Sequence, residues 1–206
     1  MPQVLKDEVR ARILAAALEV FAARGYEGAT MAAIAERAGL GTASLYRYYP
    51  GKAELFAAVI TPELAEAFAR LTERRVRALA RAAGGEGLGS GDLGDEMLRF
   101  WIDHRLAVVI LLDRAAGTEY EHFGRRFVEL LVSGSLAQIR ATNPGVRLRA
   151  PARFVLEQIF ENTRRILAAI LETHADETAL REAIEAFWSY QIPGLAGLAR
   201  WLGRRC

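Results

Sequence analysis

Apolar positions recur with a helical period along almost the whole chain, and the interruptions are mainly glycines and prolines. From Lys6 to Arg24 the residues Val9, Ile13, Leu14, Ala17, Leu18 and Phe21 fall on one side of a helix, and Gly25 follows as its stop. Thr30 precedes "MAAIAERA" in the position of an N-cap, and that short helix ends at Gly39. A second short segment, "TASLYRYY", stops at Pro50-Gly51. A longer pattern runs from Lys52 to about Ala83, carried by Leu55, Phe56, Val59, Leu64, Phe68, Leu71, Val76 and Leu79, with Pro62 marking a kink or a restart. The stretch "GGEGLGSGDLG", residues 84–94, reads as a flexible loop inside a domain. Helical patterns resume over 95–105, 106–116, 121–141, 151–173 and 177–191. Pro193-Gly194 interrupts the last, and 195–202 adds a terminal turn or two. No alternating run bounded by turn signals argues for strands. The chain reads as all-α, with about nine or ten helices.

Two helices of about eight residues are too short to stand alone, so they must pack on a neighbour. The 6–24 helix supplies the apolar face, and the trio has the architecture of a helix-turn-helix reader. Ile34 and Ala38 point inward, Ala35 is small enough for close approach, Gly39 takes the turn, Leu40 plugs it and Leu45 anchors the second short helix. Four residues on from Leu45, Tyr49 shares its buried face. Thr42, Ala43, Ser44, Tyr46 and Arg47 then face outward, with Tyr48 near the edge. That face offers hydroxyls, an amphipathic ring and a guanidinium, all able to meet phosphates or base edges. Lys52, at the start of the next helix, places an ammonium beside free backbone N–H groups, a good spot for one phosphate. Residues 1–51 form the reading domain. Residues 52–206 form a second helical domain, entered through the connecting helix 52–83.

Charge narrows the picture. The formal net charge is only +2, so any nucleic-acid site is local. Over residues 1–60, seven basic residues face six acidic ones, which predicts modest, salt-sensitive non-specific binding. Only Lys6 and Lys52 are lysines among 27 basic residues, so a lysine is mildly informative here. The sole cysteine is Cys206, which fits a reducing compartment. No apolar signal core follows Met1, and "LAVVILL" is too short to span a bilayer, so a cytoplasmic location is expected.

The stretch "ATMAAIAERAGLGTASLYRYYPGKAELFAAVI", residues 29–60, resembles the DNA-binding domain of TetR-family transcriptional regulators. The likeness lies in Thr30, "IAERAGL", the Leu45-Tyr46 pair, the aromatics at 48 and 49, and Lys52 followed by "ELF". It implies that Thr30, Tyr46, Tyr48 and Lys52 contact DNA, the last three at phosphates, and that Thr42, Ala43, Ser44 and Arg47 face the major groove. Gly41, Ala43, Tyr48 and Tyr49 depart from commoner family choices, and Ala32 stands where some members carry a base-reading arginine. Arg47 is left as the only strong hydrogen-bonding reader of base edges. The resemblance further implies a repressor that binds a palindromic operator as a homodimer and is released by a small, largely apolar effector.

One short reading helix makes too few contacts for specificity, which argues for a dimer. In the 151–173 helix the apolar residues span about 160°, wide enough to face a core and a partner together. The expected interface is Ile159, Phe160, Ile166, Leu167, Ile170, Ile184, Phe187 and Trp188; the same pattern would also serve a plain core. Large side chains gather in the middle helices, ordinarily a packed core, and the resemblance implies an effector pocket there. Its walls are Phe100, Trp101, Leu111, Tyr120, Phe123 and Phe127, with His104 as a polar contact and the glycine-rich loop as a gate. His104, His122 and His174 lack the paired spacing of a metal site, no catalytic constellation appears, and no cofactor is expected. Asp113-Arg114 reads as a helix-end ion pair. The rival reading is a helical carrier or adaptor whose helix-turn-helix serves protein contacts alone.

Overall fold

The helical periods become ten α-helices in the computed structural model, which describes residues 3–81, 92–142 and 149–203. They are α1 (Gln3–Gly28), α2 (Met31–Arg37), α3 (Thr42–Tyr46), α4 (Lys52–Val59), α5 (Pro62–Arg81), α6 (Asp92–Asp103), α7 (Arg105–Val109), α8 (Phe123–Thr142), α9 (Ala150–Thr173) and α10 (Glu177–Gly203). A π-helical turn, Ile110–Arg114, continues α7. No strand occurs among the described residues, and the fold is all-α as the periodicity implied.

Helix α1 is the post on which the N-terminal unit is built. Ile13, Ala17 and Phe21 are fully buried and hold α2 and α4 against it. Burying a side chain the size of Ile13 or Phe21 contributes roughly 1.5–3 kcal/mol, which lets helices of seven and eight residues persist. Phe21 meets the Phe56 ring edge-on at 5.2 Å, and Tyr26 meets the same ring at 5.0 Å. At Gly25 the backbone leaves the helix with φ 69° and ψ 166°, a conformation open to glycine alone. The stop read from the sequence is real, although a last turn continues to Gly28.

The expected 52–83 helix is two helices. Ile60 leaves helical geometry (φ −115°, ψ 86°), and Pro62 starts α5 at a place where its missing N–H costs nothing. The Leu64 N–H donates to Thr61 Oγ1 at 3.3 Å, capping the restart. The opposite correction applies at Pro193. Helix α10 runs through it, with Leu180, Ile184, Phe187 and Gln191 before it and Leu202 after it all buried. Tertiary packing here outweighs the ~3 kcal/mol that an interior proline costs. The break between 105 and 106 falls instead at His104. Most of the glycine-rich 84–94 segment lies outside the described residues, and 92–94 belong to α6.

In the second unit α8 packs between α5 and α9, α7 lies on α9, and α10 lies on α9 and α6. The π-turn touches α1, α8 and α9.

Candidate nucleic-acid interface and aromatic core

The candidate helix-turn-helix is fixed by local chemistry. The Ala33 N–H donates to Thr30 Oγ1 at 3.2 Å, which makes Thr30 the N-cap of α2. At the other end of α2, the Leu40 N–H donates to Ala35 O (2.9 Å) and the Gly39 N–H to Glu36 O (3.0 Å), with Gly39 at φ 64°. That is a Schellman stop, and it swings the chain directly into α3. Gly41 caps α3 with backbone alone. Leu45 is fully buried, and Tyr49, one turn on, is 9% exposed.

With that face pinned, Thr42, Ala43, Tyr46 and Arg47 are exposed, while Ser44 and Tyr48 are half-buried. Tyr46 is 50% exposed, one of the large apolar side chains most open to solvent. Arg47 Nη2 donates to Ser44 Oγ at 2.9 Å, which lays the guanidinium along the helix instead of leaving it loose. Arg37, the other basic residue of the reader helices, is turned back to Glu19 on α1. Hydrogen bonding to that carboxylate, and then its charge, raise the Arg37 pKa further above its usual value.

Lys52 differs from expectation. Its ammonium points to the end of α1, donating to Tyr26 O (2.7 Å), Ala29 O (3.1 Å) and Glu27 O (3.4 Å), and lies 4.4 Å from the centre of the Tyr26 ring. A helix C-terminus presents unpaired carbonyls and partial negative charge, and a cation satisfies both. The sequence position beside the N–H groups of α4 was visible. The nearness of the α1 carbonyls was not, because it depends on how α4 packs across α1.

The aromatic residues of the second unit assemble around one that sequence reading had placed only in a periodic stripe. Phe68, fully buried on α5, stacks with Phe100 (5.7 Å) and Phe123 (5.5 Å) and meets the tilted ring of Phe127 at 5.9 Å. His104 is exposed, its ring 4.7 Å from that of Phe100. Trp101 is buried, and its Nε1 has no hydrogen-bond partner. Tyr120 is half-buried; burial first, then the carboxylates of Glu119, Glu63 and Glu66, raise its pKa. Leu111 goes elsewhere, to a cleft of about 260 Å³ that it lines with Asp113, Gly124, Glu161 and Arg164.

The predicted dimer residues divide. Phe160, Leu167, Ile184 and Phe187 are buried within the chain's own core, so they are not available to a partner. Ile159, Ile166, Ile170 and Trp188 are half-buried. At 100° per residue, Val155, Ile159, Ile166 and Ile170 occupy an arc of about 60° beside the core arc of Leu156, Phe160, Thr163, Leu167 and Leu171. The wide stripe is two adjacent faces. Val155, part of the stripe read from the sequence, is exposed, and Phe154 and Tyr190 (77% exposed) are outward apolar groups that the stripe did not include.

Among the described residues, no group of three or more His, Cys, Asp and Glu side chains could hold a metal, and no helix is long and apolar enough to cross a membrane.

Residues 13–59 match the family model described as "Bacterial regulatory proteins, tetR family". The chain is 47% identical over 55 residues to the HTH-type transcriptional activator FasR of Mycolicibacterium smegmatis, covering 27% of this chain and 25% of that one. It is 32% identical over 125 residues to the HTH-type transcriptional repressor KstR of the same organism, covering 57% and 58%. Each of these matches spans less than two thirds of the relative's own length. Among solved structures, a tetR-family transcriptional regulator from Streptomyces coelicolor aligns over 95% of this chain and 88% of its own, at 19% identity and a TM-score of 0.37.

Proposed function

The chain belongs, through residues 13–59, to the TetR family of bacterial transcriptional regulators, and on that premise we propose that it binds a palindromic operator as a homodimer and is released by a small, largely apolar effector. The observation that carries the reading is the division of α3. Leu45 and Tyr49 hold one face in the core, and this presents Thr42, Ala43, Tyr46 and Arg47 together on the other. Arg47 reads base edges, Tyr46 and Tyr48 take phosphates, and the Arg47–Ser44 bond orients the guanidinium before DNA arrives. Thr30 contributes by fixing the start of α2, and the N–H groups opening α4 face the backbone of the DNA.

The dimer forms through the outward faces of α9 and α10, where Val155, Ile159, Ile166, Ile170, Trp188 and Tyr190 supply apolar area that a monomer would leave partly wet. Two such helices per subunit make a four-helix interface. The effector enters beside Phe68, Phe100, Phe123 and Phe127, and the unpaired indole N–H of Trp101 offers the polar handle such a molecule would satisfy. KstR is named a repressor and FasR an activator; we read this chain as a repressor. Purified protein selected on randomised duplexes is expected to enrich an inverted repeat. A folded protein that enriches no duplex at low salt would refute the proposal in favour of a carrier or adaptor.

A further inference from the structure

Asp113 and Arg114 are more than a helix-end ion pair. Arg114 closes the π-turn, and its guanidinium reaches in three directions. Nε donates to Ala22 O on α1 at 3.1 Å, Nη1 to Asp113, and Nη2 to Glu172 Oε2 on α9 at 3.2 Å. Ala22 lies in the turn just before Gly25, so its carbonyl is one of those that a helix end leaves in need of a donor. Asp113 in turn accepts from Arg164 Nη1 at 2.7 Å, and the same nitrogen donates to Leu112 O at 2.5 Å. Arg164 is completed by Glu161. Its side chain is only 11% exposed, so its pairs with Asp113 and Glu161 are held in place, while the Arg114–Glu172 pair is more open, at 33% and 37% exposed.

The π-turn itself is over-determined. Such turns are rare and tend to mark functional positions. This one is held by Arg164 on the Leu112 carbonyl. It is also held by Gly124 on α8, where any side chain would collide with that carbonyl oxygen. Beyond it, Gly117 turns the chain at φ 79° against Glu27, so the segment after Arg114 also lies on the end of α1.

We propose that Arg114 is a positioning residue that couples the reader to the second unit, with the path Glu172–Arg114–Ala22 joining the end of α9 to the end of α1. It rests on the reading of α2 and α3 as a DNA reader and names how the rest of the chain sets that reader's position. A movement of α9, from a partner subunit or from an occupant of the aromatic core, pulls Glu172. Arg114 transmits it to α1, which carries α2 and, through it, α3.

The test is amide hydrogen exchange in the intact free protein, for Arg114→Met, Arg114→Lys and Glu172→Gln, with affinity for a selected duplex measured beside it. Glu172 touches nothing in the reader. Its change is nevertheless expected to speed exchange several-fold at residues 22–28, and Arg114→Met to speed it more than tenfold, with core amides of α8 unchanged. Arg114→Lys, which keeps the charge, is expected to restore part of the protection, and duplex affinity to fall in the same order. If Glu172→Gln alters exchange only on α9, Arg114 is a local cap and the coupling is refuted. Should Arg114→Met not fold, the other two variants decide the matter. Failure to select any duplex would refute the DNA-reading proposal while leaving the exchange result to be judged on its own.

Discussion

Replacing Lys52 by methionine separates two roles that the sequence and the structure assign to one side chain. Methionine keeps the stem and removes the ammonium. Two well-formed carbonyl bonds, at 2.7 and 3.1 Å, are lost with a third at 3.4 Å and the ring contact at 4.4 Å. A hydrogen bond involving a charged group is worth about 1.5–3 kcal/mol, and an exposed cation–π contact about 0.5–1 kcal/mol. The contributions share one ammonium and do not add, and the site is only half-buried, so about 2 kcal/mol is the expected loss. At this chain length that is roughly a 4–8 °C fall in Tm. The assay pairs thermal melts with duplex affinity from about 50 to 200 mM salt. A tie between α1 and α4 predicts the lower Tm and an affinity loss of similar size at every salt concentration. A phosphate contact predicts a salt slope shallower by about 0.9 per contact, hence about 1.8 for a dimer. An unchanged Tm with a shallower slope would refute the reasoning from the carbonyl cage.

Three further outcomes follow from local geometry. Tyr49→Ala should cost about 3 kcal/mol in urea unfolding because it opens a cavity under α3, whereas Tyr46→Ala should change stability by less than about 0.5 kcal/mol and weaken DNA binding. Gly25→Ala should cost about 1–3 kcal/mol, since φ 69° with ψ 166° strains any side-chain-bearing residue although a methyl there would find ordinary space, 3.6 Å from Arg114 O. Hydrogen bonding to Arg164 outweighs burial and holds Glu161 below its ordinary 4.5. A depressed acid contributes stability that is complete above that value and is lost as the pH falls through the folded pKa. Glu161→Gln should therefore lower the urea midpoint at pH 7, and the gap from the unsubstituted protein should shrink as the pH is taken below 4.5 and the folded carboxylate protonates.

The reader was legible because its determinants are local. Thr30, Gly25 and Gly39 act within a few residues of themselves, and Leu45 fixes the face of Tyr49 by helical spacing alone. The direction of Lys52 was hidden, since the carbonyls it caps belong to a helix more than twenty residues earlier. The π-turn was equally hidden. Its apolar residues read as one helical run, and what holds it comes from Arg164 and Gly124 on two other helices. Pro193 misled for a related reason, as burial on both sides of it outweighs a local signal. The α9 stripe showed its width but not its division, because periodicity does not say which part of an apolar arc meets the chain's own core.

The central claim is that the exposed face of α3 reads DNA, and Arg47 tests it most directly. Affinity of Arg47→Ala is to be measured against the unsubstituted protein on the selected duplex and on an unrelated one, at a single salt concentration. The account predicts an unchanged Tm, a loss of tenfold or more on the selected duplex, as expected when a base contact worth about 1–3 kcal/mol is removed from each reader, and a much smaller loss on the unrelated one. Equal affinity of both proteins for the selected duplex would contradict it.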